Sequence, residues 1–162
     1  MSRLRRWKSR LTRAVAAILL AVLLVAAPVA HASATRAEYA VEADPICRSA
    51  DKDINHLWKR FRREAKQYPF KIQAAANALE SIGRRYSSAV RSLSLIGPPV
   101  GDEGLISQWL ELHSRSAAKY PLAASAYRLN EYKRLNRLID SADRLARRAS
   151  SLMSDWPFQR CA

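Results

Sequence analysis

The most concentrated chemistry in the chain is Trp58-Lys59-Arg60-Phe61-Arg62-Arg63-Glu64-Ala65-Lys66, which sets five cations within eight residues and interleaves them with aromatic rings. Lys59, Arg60, Arg62, Arg63 and Lys66 form a short basic cluster of the kind that holds phosphate, sulfate or carboxylate groups. Arg84-Arg85, Arg147-Arg148 and the group Lys133, Arg134 and Arg137 extend it if the helix arrangement brings them alongside. Glu64, Asp140 and Asp143 are expected to pair with cations at i,i+3 or i,i+4 and blunt the field. The competing reading is a solvated helix face with Phe61 turned to the core.

Catalytic constellations are missing from the pattern. No serine sits in a Gly-x-Ser-x-Gly turn, and the four glycines form no phosphate cradle. Asp51 and Asp53 are two apart and leave opposite sides of a helix, which does not suit paired acid and base work. A carboxylate-bridged metal pair in a bundle needs two Glu-x-x-His repeats plus two further glutamates. Asp53-x-x-His56 is one approximation, and Glu111-x-His113 has the wrong spacing. His56 and His113 therefore read as partly exposed helix histidines, and Trp58, Trp109 and Trp156 as packing residues. The expectation is no enzyme, no catalytic residue, no metal and no cofactor.

The leader explains much of the charge. Met1 to Arg13 holds six Lys or Arg and no acid, Ala14 to Ala30 runs 17 residues without a charge, and Ala30-His31-Ala32 and Ala32-Ser33-Ala34 offer A-x-A cleavage sites. A basic region, an apolar region and small residues in that order make a secretory signal peptide over residues 1–34. The alternative is an uncleaved membrane anchor through residues 14–30, although spanning takes about 20 residues. Without the leader, 22 Lys+Arg stand against 14 Asp+Glu, so the mature part is still basic, and a basic surface outside the membrane favours anionic partners. Cys47 and Cys161 are the whole cysteine inventory. In an oxidising compartment they form a single structural disulfide, closing a loop worth roughly 4–5 kcal/mol.

The elements that must position these residues are helices. Asp44-Pro45 reads as an N-cap followed by a first-turn proline, after a flexible arm over residues 35–43. Ile46, Ala50, Ile54, Leu57, Phe61 and Ala65 then line one face, and Pro69 ends the run. The second helix, from about Phe70 to Ile96, carries Ala75, Leu79, Ile82, Tyr86, Ala89, Leu93 and Ile96 at alternating steps of four and three, with Gly83 marking a close helix approach. Gly97-Pro98-Pro99-Val100-Gly101 turns the chain. Asp102 is placed to cap a third helix, kinked at Pro121 and turning at Asn130; the alternative ends it at Tyr120 and starts a new helix at Pro121. Leu135, Leu138, Ala142, Leu145, Ala149 and Leu152 form the seam of the last helix. Four rods of similar length with short loops predict an all-α, up-down-up-down bundle over residues 44–162. That topology places the first turn of helix one beside the end of helix four, where Cys47 and Cys161 must meet.

Behind a basic leader, Pro45-Ile46-Cys47, Pro98-Pro99, Trp109-Leu110 and the closing Phe158-Gln159-Arg160-Cys161-Ala162 resemble a group of small secreted or lipid-anchored bacterial helical-bundle proteins. These carry a cysteine in the first mature helix and a C-terminal Phe-x-x-Cys. The group is uncharacterised, so the resemblance implies a fold and a compartment and no activity. Where such proteins carry a glycine before the final Phe-x-x-Cys, this chain has Trp156-Pro157, which bears on the tail's geometry and not on the disulfide. The expected function is a non-enzymatic, secreted or periplasmic module that docks on an anionic envelope polymer or membrane surface through Lys59, Arg60, Arg62, Arg63 and Lys66. The alternatives are a module for another envelope protein using an apolar helix surface, and a carrier of a small ligand between the helices. Specific nucleic-acid recognition is not expected.

Overall fold

The computed structural model describes residues 34–161; the leader read over residues 1–34 lies, apart from Ala34, outside the described residues. Five helical segments follow in order: α1 Arg36–Ala65, α2 Ile72–Leu93, α3 Glu103–Ala117, α4 Lys119–Arg128 and α5 Tyr132–Leu152. They make four antiparallel rods, because α3 and α4 continue one another across Ala118. The third rod is thus the kinked helix that Pro121 foretells. Pro121 lies in the first turn of α4, where a missing N–H costs nothing. Gly83 of α2 meets this break: a Cβ there would lie 3.0 Å from Pro121 Cδ and 3.2 Å from the Ala117 carbonyl. The turn into α5 uses Asn130 at φ 57°, a left-handed conformation that asparagine tolerates.

The start of α1 corrects two expectations. Residues 36–43, expected as a flexible arm with Thr35, are helical, and Tyr39, Ala40 and Ala43 are buried in the core. Thr35 and Glu38 form a reciprocal capping box, in which the Glu38 N–H donates to Thr35 Oγ1 and the Thr35 N–H to the Glu38 carboxylate. Pro45 lies inside the helix, on its exposed side, and the Val41 carbonyl it leaves without a partner belongs to an exposed residue. Asp44 does not cap α1. It is buried and accepts hydrogen bonds from the backbone N–H groups of Gln159, Arg160 and Cys161 at 2.9, 2.9 and 3.2 Å, clasping the tail. Asp102 does stand at the N-cap position of α3, but its side chain makes no cap hydrogen bond there; it takes both Nε and Nη2 of Arg36, at 2.8 and 2.7 Å.

Two core clusters divide the bundle along its length. One packs Leu79, Ile82, Tyr120, Tyr127 and Leu135, with Trp58 and Phe61 of α1 against them. The other packs Tyr39, Leu93, Trp109, Met153 and Trp156 around the Cys47–Cys161 disulfide, whose Cα atoms lie 5.3 Å apart. Ser116 Oγ ties α3 to α5 by donating to the Ala142 carbonyl at 3.0 Å. Of the last seam, Leu135, Ala142 and Ala149 are buried, and Leu138, Leu145 and Leu152 half-buried. Helices α1 and α2, α2 and α3–α4, and α3–α4 and α5 pack as neighbours, but no Cα of α1 comes within 8 Å of one in α5. That side is spanned by side chains and by the returning tail.

Candidate functional site

The residues singled out by charge lie where α1 reaches its C-terminal end. Lys59, Arg60, Arg62, Arg63 and Lys66 are all exposed. Lys59, Arg62, Arg63 and Lys66 recur at helical spacing and share a face, whereas Trp58 and Phe61 turn inward against Tyr120 and Tyr127, with ring centroids 6.0 and 5.6 Å apart. The interleaved aromatics are therefore core, and the cations alone face outward. Glu64 is buried beneath them. It pairs with Arg63 at 3.0 Å and with Lys71 of the following loop at 3.3 Å, not with partners three or four residues away. Asp140 and Asp143 form no ion pair among the described residues.

Topology enlarges this patch. The loop after α1 and the loop before α5 touch: the Tyr68 hydroxyl donates to Asn130 Oδ1 at 3.0 Å, and the Tyr68 and Tyr132 rings are 6.1 Å apart. Lys133, Arg134 and Arg137 at the start of α5 thereby join the same end of the bundle. Arg84-Arg85 and Arg147-Arg148 do not, lying on the order of 20 Å further along their helices at 1.5 Å per residue; Arg85 is held by Asp53 at 2.6 Å and by Ser49. Residues 59–71 hold six Lys or Arg against Glu64 alone, and residues 128–137 hold four against Glu131 alone, a combined +8. Four of those ten cations pair with acids: Arg63 and Lys71 with Glu64, Arg128 with Glu80, and Arg134 with Glu131. Lys59, Arg60, Arg62, Lys66, Lys133 and Arg137 have no ion pair among the described residues.

Sequence reasoning missed the apolar partners of this charge. Phe70 is 93% exposed and Leu129 61%, and both project from the two touching loops, beside the half-exposed rings of Tyr68 and Tyr132. The one signal available was position: Phe70 directly follows the helix-ending Pro69.

A second, concave site lies in the disulfide half, on the side where α1 and α5 stand apart. It is a cavity of about 160 Å³, lined by residues of α1, α2, α3 and α5 and by the disulfide. His113, expected as a partly exposed helix histidine, is half-buried here between Tyr86 and Trp109, with ring centroids 5.8 and 5.2 Å away. Burial pulls its pKa down to about 4, so its imidazole is neutral at pH 7. Burial likewise pushes the Tyr86 hydroxyl up to about 12. Trp109 is core, as the seam predicts, and wholly buried. Among the described residues no group of three or more His, Cys, Asp or Glu is placed to hold a metal ion, and no helix is long and apolar enough to cross a membrane.

Comparison with protein-family models, with curated proteins and with solved structures returns no match for this chain.

Proposed function

We propose that the protein is an exported, non-enzymatic module of the cell envelope that docks on an anionic lipid surface through the loop end of its bundle. One observation carries this reading: six cations with no ion pair among the described residues, from the end of α1 and the start of α5, lie at the same end of the bundle as the exposed Phe70 and Leu129. Cations near an anionic leaflet contribute about 1 kcal/mol each, within a screening distance of roughly 10 Å at ordinary salt. An apolar ring that enters the headgroup boundary adds its own transfer energy, and long basic side chains can lie along the same boundary with their charges in water. A soluble polyanion would use the cations and leave Phe70 and Leu129 idle. Export is supported by the leader pattern at residues 1–34 and by the need of Cys47 and Cys161 for an oxidising compartment.

The test is sedimentation of the oxidised, exported protein with phosphatidylcholine vesicles, with or without phosphatidylglycerol, at about 50 and about 200 mM salt, a soluble polyanion being titrated alongside. Binding that requires phosphatidylglycerol, weakens by an order of magnitude or more at the higher salt, and drops roughly a thousandfold when Lys59, Arg60, Arg62, Arg63 and Lys66 all become glutamine is the expected result. Binding to the polyanion with none to vesicles moves the site to an envelope polymer. Salt-insensitive association would replace docking by charge with an apolar protein interface.

A further inference from the structure

We propose that the cavity between α1 and α5 is a binding site for one small, uncharged aromatic molecule that carries a hydroxyl group.

The cavity's size comes from three alanines. Ala50 of α1, Ala89 of α2 and Ala146 of α5 line it, and its remaining apolar wall is Ile54, Val90 and Leu93. Protein interiors close such spaces where side chains can reach, and an unfilled one is destabilising. A single leucine in place of any of the alanines would fill much of this one. The volume of about 160 Å³ is close to that of an engineered apolar cavity of about 150 Å³ that accepts one benzene ring. It is far too small for a haem or a folded lipid.

The walls are held in place. The Cys47–Cys161 bond closes one end, Trp109 stacks on Phe158 at 5.5 Å, and Tyr86 stacks on Tyr120 at 6.2 Å. A ring entering the cavity meets the aromatic side chains Tyr86, Trp109 and His113, with which edge-to-face or offset packing is favourable.

Two polar atoms define the hydroxyl. Trp109 is 0% exposed, and its indole Nε1, which can only donate, has no partner among the described residues. His113 Nδ1 is also buried without a partner. Leaving such groups unsatisfied costs free energy, so a bound species that serves them is strongly favoured. A hydroxyl is the smallest group that accepts from an indole N–H while donating to an imidazole nitrogen. A charged ligand is disfavoured, since the imidazole facing it is neutral and most of the wall is apolar or aromatic. The exposed lining residues, Asp51 and Arg160, are of opposite sign and select neither charge at the mouth.

The experiment is calorimetric titration of the oxidised, exported protein with phenol, benzene and benzoate at pH 7, joined to nuclear magnetic resonance of the tryptophan indole N–H groups. Phenol is expected to bind tightest and to shift the Trp109 indole N–H resonance, assigned through Trp109→Phe. His113→Phe keeps a ring but removes the nitrogen, and should weaken phenol three- to tenfold while leaving benzene unchanged. Ala89→Leu should abolish binding of both; if that variant does not fold, Ala146→Val narrows the same space with a smaller side chain. The proposal is overturned if phenol leaves the Trp109 resonance unmoved, because water alone then satisfies the two atoms. It is also overturned if benzoate outbinds phenol, or if a folded cavity-filling variant binds phenol as the parent does. None of these outcomes depends on vesicle binding, so the cavity and the docking surface stand or fall separately.

Discussion

The two ends of the bundle are built from the same four rods and differ in charge. At the loop end, residues 59–71 and 128–137 gather a net +8. At the disulfide end, residues 36–48, 91–103 and 147–161 hold six Lys or Arg against six Asp or Glu, a net of zero. Both ends expose apolar residues: Phe70 and Leu129 at one, Leu95 and Val100 at the other. Exposed apolar surface therefore does not single out a docking site, since scattered examples are ordinary. What differs is the surroundings. Phe70 shares its end with cations that have no ion pair among the described residues, while the disulfide end spends its carboxylates internally, Asp102 on Arg36 and Asp44 on the tail's backbone. One end is tied together; the other is left free to bind. Substitutions should separate a stability end from a binding end.

The largest expected effect on stability is removal of the covalent tie. Cys47 and Cys161 are 114 residues apart in sequence, and reopening a loop of that size should cost about 4–5 kcal/mol. Paired Cys47→Ala and Cys161→Ala changes, followed by urea unfolding, measure it. A loss under about 2 kcal/mol would mean that Asp44 and the aromatic packing hold the tail unaided, and the contrast between ends would rest on packing alone.

Next comes the pH response of His113. In the unfolded chain this histidine titrates near 6.5, and in the fold burial lowers it to about 4. The unfolded state therefore binds more protons between those values, so stability is complete above pH 6.5 and is lost as pH falls toward 4, by up to about 3 kcal/mol. Asp51, Asp143, Tyr86 and Arg160 lie nearby, and burial holds the Asp51 carboxyl above its usual range. The comparison is accordingly between the parent and His113→Gln: their unfolding free energies should converge as pH falls from 7 to 4.5. Parallel curves would place His113 in contact with water. Slightly smaller is the effect of Asp44→Ala, which leaves three backbone donors at the tail without their acceptor and should cost about 2–3 kcal/mol, read by the same unfolding experiment. A loss under about 0.5 kcal/mol would show that water replaces the carboxylate there.

How much of this the sequence carried differs between fold and site. The seams of α2 and α5, the break at Pro121, the Asn130 turn and the close approach at Gly83 were legible, because each follows from periodicity or a backbone restriction local to a few residues. The start of α1 was not. Thr35-x-x-Glu38 is a capping box in plain view, yet Asp44-Pro45 imitates a start signal nine residues later, and only the fold reveals that Pro45 faces solvent while Asp44 serves the tail. The cationic run of α1 was legible as composition. Its extension by Lys133, Arg134 and Arg137 was named only alongside Arg84-Arg85 and Arg147-Arg148, since the choice among them depends on which loops touch, and no local rule says that Phe70 and Leu129 stay outside. The cavity was hidden for a similar reason. Ala50, Ala89 and Ala146 read as ordinary small residues on helices, and only the spacing of α1 from α5 turns them into a void.

The smallest expected effect on stability gives the sharpest comparison of the two ends. Phe70→Ser and Leu95→Ser each replace an exposed apolar side chain, 93% and 87% exposed, and each should change the unfolding free energy by less than about 0.5 kcal/mol. Their effects on vesicle binding should diverge. Burying a phenylalanine in an apolar environment contributes roughly 1.5–3 kcal/mol, so Phe70→Ser should weaken binding to phosphatidylglycerol vesicles about tenfold or more, and should do so equally at low and high salt. Charge neutralisation at Lys59 or Lys66 should instead shrink the salt dependence. Leu95→Ser should change neither quantity. Equal losses from the two serine variants would mean that both ends enter the bilayer or that neither does, and the asymmetry of charge would then steer the approach without fixing the depth of contact.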